Sequence, residues 1–378
     1  MRAVEIEYTK IRHEDKVLRG RVKMRALRKI NRWQDSGNIQ LCSVERPTPG
    51  ADEVLIRVEA AGICGTDIKI WHGSTWSNPP VILGHEYSGV IVETGRDVKN
   101  LKPGERVVSE TGQVVCGVCE YCKTGRELMC DKRLSIGYGV DGAMAEYIKV
   151  RQGIVHKIPD TLSFDRAALC EPFAVALHAL MDHTRLTATD KVLIMGPGAI
   201  GQLAAQAAKS VGALAVLAGL PKDQERLDAA RSAGVDVTLT DLSEEAVKEI
   251  AGEKGFDVVL DCSGAERAIR QAMRSVKKTG TFIQVGLTKP ELTIDYSLLT
   301  GKEIQIIGTF GHRWHNWETA IELMSTGKVR VDHLITGRYG LEDWEQGFTD
   351  MQEGRGIKIL IYPNKREEAA KIEGDSKL

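Results

Sequence analysis

Four cysteines stand close together in one short stretch of the chain: Cys116, Cys119, Cys122 and Cys130. Their spacing places four soft sulfur ligands within one loop, and Gly117 and Gly125 leave the backbone free to wrap around a tetrahedral ion. A closed set of four thiolates favours a structural zinc ion, which stabilises a lobe and does no chemistry. An iron–sulfur cluster would also accept four thiolates, although its known spacings differ, and four free thiols would leave reactive groups packed together.

A second group of metal-binding side chains is spread over three distant segments. Residues 62–67 are Gly-Ile-Cys-Gly-Thr-Asp, residues 84–89 are Gly-His-Glu-Tyr-Ser-Gly, and residues 170–172 are Cys-Glu-Pro. Cys64, His85 and a carboxylate would leave one zinc position open for a substrate alcohol, as catalytic zinc sites do. Zinc there lowers the pKa of the alcohol, which can then pass hydride to an oxidised nicotinamide, and in reverse it polarises a carbonyl. Alone, either residue would more commonly be a packed core residue.

A glycine-rich turn follows an apolar strand predicted at residues 191–195. The next six residues are Gly196, Pro197, Gly198, Ala199, Ile200 and Gly201, and an apolar helix follows. Between a strand and a helix, such glycines let the backbone approach a pyrophosphate at the helix N-terminus. The sequence therefore predicts a dinucleotide site formed by Gly196, Gly198, Ala199, Ile200 and Gly201.

Strands and helices must bring these segments together. In the first half of the chain, β-branched residues between Gly and Pro predict short strands at 54–58 and 89–93. A helical apolar pattern over 167–180 marks a boundary near Ser163. Beyond it, predicted strands alternate with helices, which indicates a parallel sheet covered on both faces. These strands are predicted at 215–218, 258–260, 281–285 and 304–307, and the helices at 200–211, 224–233 and 317–325. The charged segment 365–378 is expected to fray.

Composition narrows the function classes. A chain of 378 residues favours two domains. Its 51 basic and 52 acidic side chains give no field for nucleic acid or a membrane surface, so we expect a small, weakly charged partner. No apolar run spans a bilayer, and residues 1–21 do not look like a signal peptide, which predicts a soluble cytoplasmic protein. Eight cysteines are too few for a disulfide scaffold.

Together these motifs resemble the zinc-containing medium-chain dehydrogenase/reductase family, and within it the sorbitol dehydrogenase-like polyol branch. The resemblance covers roughly residues 24–364. It rests on residues 62–67, 84–95, 103–107, the cysteine loop, Asp141-Gly142 before Tyr147, and residues 170–172.

The resemblance implies an α/β fold with two domains. A mainly β, GroES-like catalytic domain would comprise residues 1–176 and 313–378, and a Rossmann domain with a doubly wound parallel sheet would comprise residues 177–312. The implied activity is a zinc-dependent hydride transfer between NAD(P) and the secondary hydroxyl of a polyol, sugar or related alcohol. An NADPH-dependent ketone or aldehyde reductase and a catalytically silent zinc-binding scaffold are the alternatives. A homo-oligomer, by resemblance a tetramer, is also implied.

The resemblance carries specific roles onto residues of this chain. It implies that Cys64 and His85 bind the catalytic zinc and that Glu86 and Glu171 bind it directly or through water. Thr66 would pass the substrate proton toward solvent, and Asp67 would orient the zinc-binding histidine. Lys358 would face the cofactor pyrophosphate. Other alcohol dehydrogenases of the family place a cysteine near the position of Glu171, so this carboxylate favours the polyol branch.

Two departures from the family pattern and one further histidine concern the substrate. Lys69 stands where some threonine dehydrogenases of the family have a histidine, which argues against threonine as substrate. His72 could supply a proton relay instead, or be a solvated surface residue. Arg313 lies near the substrate-contacting arginine segment of sorbitol dehydrogenases, but with one extra residue before it, so its role is left open.

The residues at the end of the second strand of the predicted nucleotide domain bear on the choice between NAD and NADP. By resemblance, Gly219 stands where NAD-binding chains have the carboxylate that accepts hydrogen bonds from the ribose hydroxyls. Lys222 and Arg226 follow and could pair with a 2′-phosphate, so NADP is favoured slightly over NAD. NAD stays possible because a longer loop could fold Asp223 back onto the ribose, and Arg226 could be a solvated helix residue.

Overall fold

A computed structural model describes residues 22–364 of the chain. The charged segment predicted to fray at 365–378, and residues 1–21, lie outside the described residues. No helix within residues 22–364 is long and apolar enough to cross a lipid bilayer.

Strands make up most of the first half and alternate with helices in the second half. The strands are β1 (Lys23–Lys29), β2 (Ile39–Glu45), β3 (Glu53–Gly62), β4 (Val81–Ile82), β5 (Glu86–Thr94), β6 (Arg106–Ser109), β7 (Tyr147–Arg151), β8 (Val155–Lys157), β9 (Lys191–Met195), β10 (Leu214–Ala218), β11 (Val237–Leu239), β12 (Phe256–Asp261), β13 (Val276–Gln284), β14 (Gln305–Gly308), β15 (Ile335–Gly340) and β16 (Lys358–Tyr362). The helices are α1 (Gly65–Trp71), α2 (Glu120–Lys123), α3 (Phe164–Ala167), α4 (Cys170–Met181), α5 (Ala199–Ser210), α6 (Gln224–Ser232), α7 (Glu244–Ala251), α8 (Glu266–Ser275), α9 (Ser297–Lys302), α10 (Trp314–Ser325) and α11 (Trp344–Gln352).

The six strands β9 to β14 form one parallel sheet in the order β11-β10-β9-β12-β13-β14. Numbered from β9, this is the order 3-2-1-4-5-6 of a Rossmann dinucleotide-binding sheet. The strand order reverses between the neighbouring strands β9 and β12, because later strands are added to one side of β9 up to β11 and to its other side from β12 onward. Ligands bind such sheets at the carboxyl ends of the two strands that flank this reversal. The predicted parallel sheet is therefore confirmed, and β9 has the predicted bounds.

The remaining strands form two mainly antiparallel sheets. The larger sheet has the order β15-β16-β3-β5-β6-β8, with β7 also paired to β3, and only its β15–β16 pair is parallel. The smaller sheet has the order β2-β1-β4. Alternating burial along β7 reflects a sheet with one face in the core. This mainly β part agrees with the sequence expectation.

Helix α4 joins the two parts of the fold. Its apolar side chains, including Phe173 and Leu177, are buried in one cluster with Ile194 of β9 and Trp317 of α10. The helical pattern predicted over 167–180 is divided in the structure, because α3 ends at Ala167 and α4 begins at Cys170. The division places Glu171 in the first turn of α4.

Candidate active site and zinc centres

Strand pairing brings Cys64 and His85 together. Strands β3 and β5 are antiparallel, and Gly62 at the end of β3 pairs with Glu86 at the start of β5. Cys64 and His85 therefore flank two adjacent strand ends, although they are far apart in the sequence. Cys64 also caps helix α1 in an extended conformation, and its backbone N–H donates to Asp67 Oδ2 over 2.8 Å.

The geometry of these side chains suits a metal ion. One ligand atom from each of Cys64, His85 and Glu86 can be chosen so that all three lie within 4.8 Å of one another. His85 Nδ1 lies 3.9 Å from Asp67 Oδ1, and both atoms are buried without a hydrogen-bond partner in the described chain. A histidine that binds a metal ion through one ring nitrogen is typically held by a neighbouring carboxylate at its other ring nitrogen, and Asp67 Oδ1 faces His85 Nδ1 in this way.

The charge balance around this cluster also fits a cation. Burial raises the pKa of Asp67 and raises the pKa of Glu171 to about 7, and Glu86 adds to the rise at both carboxyl groups. His85 and Lys358 act in the opposite direction but do not cancel the effect of burial. Buried carboxylates with raised pKa values are stabilised in their charged form by a bound metal ion. The residues present therefore fit a divalent metal ion.

Lys358 lies in the cavity that the glycine turn also lines, and its ammonium group is paired with a carboxylate. Its ammonium group is buried, donates to Glu86 Oε1 and Oε2 over 2.8 and 2.6 Å, and donates to the carbonyl of Ile63 over 3.2 Å. The sequence resemblance assigned this residue to the cofactor pyrophosphate. In the structure it lines the same cavity as the glycine turn, but its charge is taken up by Glu86. The reason is the register of β16 against β3, which places the start of β16 beside the start of β5.

A cavity of about 450 Å³ joins the metal cluster to the dinucleotide turn. Its walls include Cys64, His85, Glu86 and Glu171 at one end and the glycine turn at the other, with Thr66 beside the cluster. Thr66 is half-buried in the first turn of α1. An alcohol at the cluster and a nicotinamide extending from the turn would therefore meet in one cavity, next to a hydroxyl group that can carry a proton.

The dinucleotide turn has the backbone geometry that its glycines predict. Gly196 follows β9 at a φ of +101°, which favours glycine, and helix α5 begins at Ala199. A Cβ atom on Gly201 would lie 2.0 Å from the carbonyl oxygen of Gly196, so only glycine allows the helix to pack this close. The turn stands at the reversal between β9 and β12, with Gly198, Ala199, Ile200 and Gly201 on the cavity wall.

The ribose end of the predicted cofactor site differs in detail from the sequence expectation. Gly219 directly follows β10, as predicted. Arg226 is not free: its Nη2 donates to the carbonyls of Gly354 and Gly356 over 2.8 and 2.7 Å. Asp223 is also engaged, because its Oδ2 accepts from the backbone N–H of Leu220 over 2.9 Å. Lys222 is exposed, which leaves it available to a phosphate group.

The four cysteines of the loop form a second site. Their sulfur atoms can all lie within 4.8 Å of one another, with 3.5 Å between Cys119 and Cys122 and 3.9 Å between Cys116 and Cys122. Zinc–sulfur bonds of about 2.3 Å in a tetrahedron put the sulfurs about 3.8 Å apart, whereas a disulfide needs about 2.05 Å. Hydrogen bonds from the backbone N–H groups of Val118 and Cys119 lower the pKa of the Cys116 thiol to about 6, which favours a thiolate. The set fits a closed zinc site.

Several cavity residues were not predicted from the sequence. Arg133, Tyr138 and His312 also line the cavity beside the cluster. Arg133 follows the cysteine loop and His312 precedes α10, and no motif distinguishes either residue. His72, considered as a possible relay, is exposed, bonds to Gln352 Oε1 over 3.0 Å and is absent from the cavity wall.

Comparison with known proteins finds one matching family domain in the mainly β part of the chain and another that covers most of the parallel-sheet part. Residues 50–160 match the alcohol dehydrogenase GroES-like domain, and residues 199–326 match the zinc-binding dehydrogenase domain. D-arabitol-phosphate dehydrogenase of Enterococcus avium is 39% identical over 342 residues, which cover 88% of this chain and 97% of that protein. Sorbitol dehydrogenase of Halalkalibacterium halodurans is 37% identical over 345 residues, covering 90% of this chain and 99% of that protein.

Solved structures show the same architecture. The chain superposes on a zinc-binding dehydrogenase from Sinorhizobium meliloti 1021 that was determined with NADP bound, with a TM-score of 0.83 and 32% identity. The superposition covers 90% of this chain and all of the other.

Proposed function

Since the chain belongs to the zinc-containing medium-chain dehydrogenase family, in its polyol branch, and is therefore an oxidoreductase that acts on polyols, we propose how its own residues carry out the reaction. Cys64, His85 and Glu171 or Glu86 hold a catalytic zinc ion, and the four-cysteine loop holds a structural one. The observation that carries this proposal is the single cavity shared by the metal cluster and the dinucleotide turn.

Zinc at the cluster would supply Lewis acidity, which lowers the pKa of an alcohol and polarises a carbonyl. The protein residues do the positioning. Asp67 holds the backbone of Cys64 through its Oδ2 and faces His85 with its Oδ1, so both ligands are oriented by one buried carboxylate. Thr66 accepts the proton of the substrate hydroxyl and passes it toward solvent, because it lies on the cavity wall beside Cys64.

The other end of the cavity holds the nicotinamide cofactor. Gly196, Gly198, Ala199, Ile200 and Gly201 receive its pyrophosphate at the start of α5, where backbone N–H groups and the helix dipole favour negative charge. Lys222 is the residue that we expect to pair with a 2′-phosphate, which supports NADP over NAD. The relative solved with NADP supports the same choice.

A panel of pentitols and hexitols, each measured with NADP and NAD at several pH values, tests the proposal. We expect hydride transfer from a secondary hydroxyl, loss of turnover on treatment with a zinc chelator, and recovery on adding zinc. Reduction of ketones or aldehydes by NADPH with no oxidation of any polyol would favour the alternative reductase. Zinc-loaded protein that binds no nicotinamide cofactor would indicate a silent scaffold. The cytoplasmic location, the homo-oligomeric state and the domain limits at residues 176 and 313 stay predictions.

A further inference from the structure

We use the name active cavity for the cavity that joins the metal cluster to the dinucleotide turn. A second cavity, which we call the annex, opens beside it. It has a volume of about 320 Å³ and shares Leu128, Thr309, Phe310 and His312 with the active cavity. Arg126 and Arg313 line its far side, together with His178 and His183. None of the described side chains that line the annex is acidic. The annex is therefore a positively charged extension of the substrate cavity.

Three buried polar atoms on the annex wall have no hydrogen-bond partner within the described residues. They are His183 Nε2, Thr309 Oγ1 and His312 Nε2. A buried donor or acceptor left unpaired costs free energy, so in a native structure such atoms are satisfied by a bound ligand or by ordered water. Their concentration in the annex fits a ligand with hydrogen-bonding oxygens.

The protonation of His312 can be assigned from its neighbour. Trp317 Nε1 can only donate, and it lies 2.9 Å from His312 Nδ1, so Nδ1 must accept. Burial lowers the pKa of His312 to about 3, so the ring is neutral and its proton sits on Nε2. His312 is only 4% exposed. The orphaned Nε2 is therefore a buried N–H donor that requires an acceptor.

Two carboxylates lie next to residues of the annex wall and offset part of its charge: Asp182, and Glu110, whose Oε2 lies 3.6 Å from His312 Nδ1. Asp182 Oδ2 bonds to His178 Nδ1 over 2.7 Å, and Asp182 Oδ1 bonds to His315 Nε2 over 2.8 Å. Arg313 Nε lies 3.8 Å from Asp182 Oδ2, which is an ion pair without a direct hydrogen bond, so Arg126 is the annex arginine with no carboxylate partner among the described residues. The charges of Arg313 and Arg126 also contribute to lowering the pKa of His183, after burial and His178, which places both cations near that ring.

Arg133 continues the positive charge into the active cavity. Its guanidinium lies 5.1 Å from the ring centre of Phe310, on the wall that the two cavities share. Its Nη1 donates to Ser135 Oγ over 2.6 Å and to the hydroxyl of Tyr138 over 3.0 Å. The guanidinium is thus fixed in place beside the passage from the annex to the metal cluster.

We propose that the annex binds the phosphate group of a polyol monophosphate while a secondary hydroxyl of the same molecule lies at the metal cluster. The proposal rests on the proposed function and names the substrate class of that site. A phosphate monoester offers several strong acceptor oxygens and about two negative charges, which suit two arginines and a buried imidazole N–H. A free polyol would leave Arg126 without a counter-charge among the described residues and Arg313 with only the Asp182 carboxylate, 3.8 Å from its Nε. The annex only recognises the phosphate, and no bond to phosphorus forms or breaks.

Paired substrates that differ only in the phosphate test the proposal. D-arabitol and D-arabitol phosphate would be compared by kcat/KM with NADP and NAD. The wild-type enzyme should prefer the phosphate ester by on the order of a hundredfold, since several charge-assisted hydrogen bonds are added. The Arg126→Gln variant should lose about tenfold in kcat/KM for the ester, mainly through KM, and Arg126→Lys should recover part of the loss. Turnover of free D-arabitol should be unchanged in both variants.

Arg330→Gln is the matched control, because Arg330 is exposed and lies outside both cavities. It should alter neither substrate. A fall in turnover of the ester alone, with the melting temperature of Arg126→Gln unchanged, supports the annex. An equal loss with both substrates would overturn it, as would wild-type preference for free D-arabitol or for a sugar acid of the same length.

Calorimetry separates this proposal from the proposed function. D-arabitol phosphate and inorganic phosphate should bind the zinc-loaded enzyme, and Arg126→Gln should weaken both. If neither substrate is turned over but the ester binds in an Arg126-dependent way, the annex stands and the proposed function fails. If polyols are oxidised but wild-type and Arg126→Gln bind the ester equally, the annex assignment is wrong and the proposed function stands.

Discussion

Replacement of Gly219 by Asp is the direct test of cofactor choice, and the structure changes what it should show. A Cβ atom at position 219 would lie 2.8 Å from Pro197 Cγ and 3.2 Å from Asp223 Cβ. The proline ring cannot swing away, so Gly219→Asp introduces overpacking that costs about 1–3 kcal/mol. The added carboxylate should favour NAD over NADP by a similar amount, about 1–3 kcal/mol or tenfold and more.

Because the two effects are of equal size, Gly219→Asp alone should lower the ratio of NADP to NAD efficiency without raising kcat/KM for NAD. Pro197→Ala removes the Cγ and Cδ atoms that a Cβ at 219 would meet. In the Pro197→Ala/Gly219→Asp double variant, kcat/KM for NAD should therefore rise about tenfold over the single Gly219→Asp variant.

A double-mutant cycle on unfolding free energy measures the contact separately from the charge. Gly219→Ala adds the Cβ atom without a carboxylate, so Gly219→Ala and Pro197→Ala should show a coupling of about 1–3 kcal/mol. Additive effects of these two substitutions would refute the steric argument. If the wild-type enzyme prefers NAD, Asp223 is the carboxylate that we expect to reach the ribose, either with its Oδ1 or by releasing the N–H of Leu220 from its Oδ2, and Asp223→Ala should then weaken NAD selectively.

The other predictions concern the two metal sites and one partly buried acid. Cys64→Ser should abolish turnover with little change in melting temperature and reduce zinc from two ions to one per chain by metal analysis, because the open site performs chemistry; wild-type activity in this variant would contradict the mechanism. Cys119→Ser should lower the melting temperature and also remove one zinc ion, since a three-thiolate site is under-coordinated, and an unchanged melting temperature with unchanged zinc content would exclude the structural site. Burial alone would raise the pKa of Asp182, but hydrogen bonds and charge from His178 and His315 lower it overall, so its contribution to stability is present above about pH 4 and lost below it. Asp182→Asn should therefore lower the melting temperature at neutral pH and approach the wild type in acid, and a difference independent of pH would contradict this.

Much of the second half of the chain could be read from its sequence because many of its elements have a local signal, whereas the short strand β11 and helices α7 and α8 were not predicted. Strand β9 has the predicted bounds 191–195, and helix α5 begins one residue before the predicted start at 200. Helix α10 was placed at 317–325 but begins at Trp314, because Trp314 and His315 are exposed and contribute no apolar periodicity. Strand β13 begins at Val276, five residues before the prediction. Its polar residues 277–279 and a register shift in the pairing with β12 conceal the start.

The zinc motifs were predictable for a different reason. The four cysteines are local in sequence, and the types of Cys64, His85 and Glu171 are restrictive enough to suggest a site before their distances are known. The annex had no comparable signal. Arg126, His183 and Arg313 are separated by more than a hundred residues in total; Arg126 and His183 are ordinary polar residues by themselves, and the role of Arg313 was left open. Only the packing of α4 against α10 brings the last two to one wall.

The ion-pair partner of Lys358 could not be predicted from the sequence. The resemblance assigned the residue to the cofactor pyrophosphate, but its partner in the structure depends on pairing between β16 and β3, nearly 300 positions apart. Glu86 bonds to Lys358 with both oxygens, so in this arrangement its charge is already compensated. Within residues 22–364 Glu171 forms no such ion pair, and it keeps a raised pKa in the same cavity. A metal ion beside Cys64 and His85 would thus offset the charge of the Glu171 carboxylate. If Glu86 bound the metal ion instead, it would have to share its oxygens with Lys358, or Lys358 would have to be released toward the pyrophosphate.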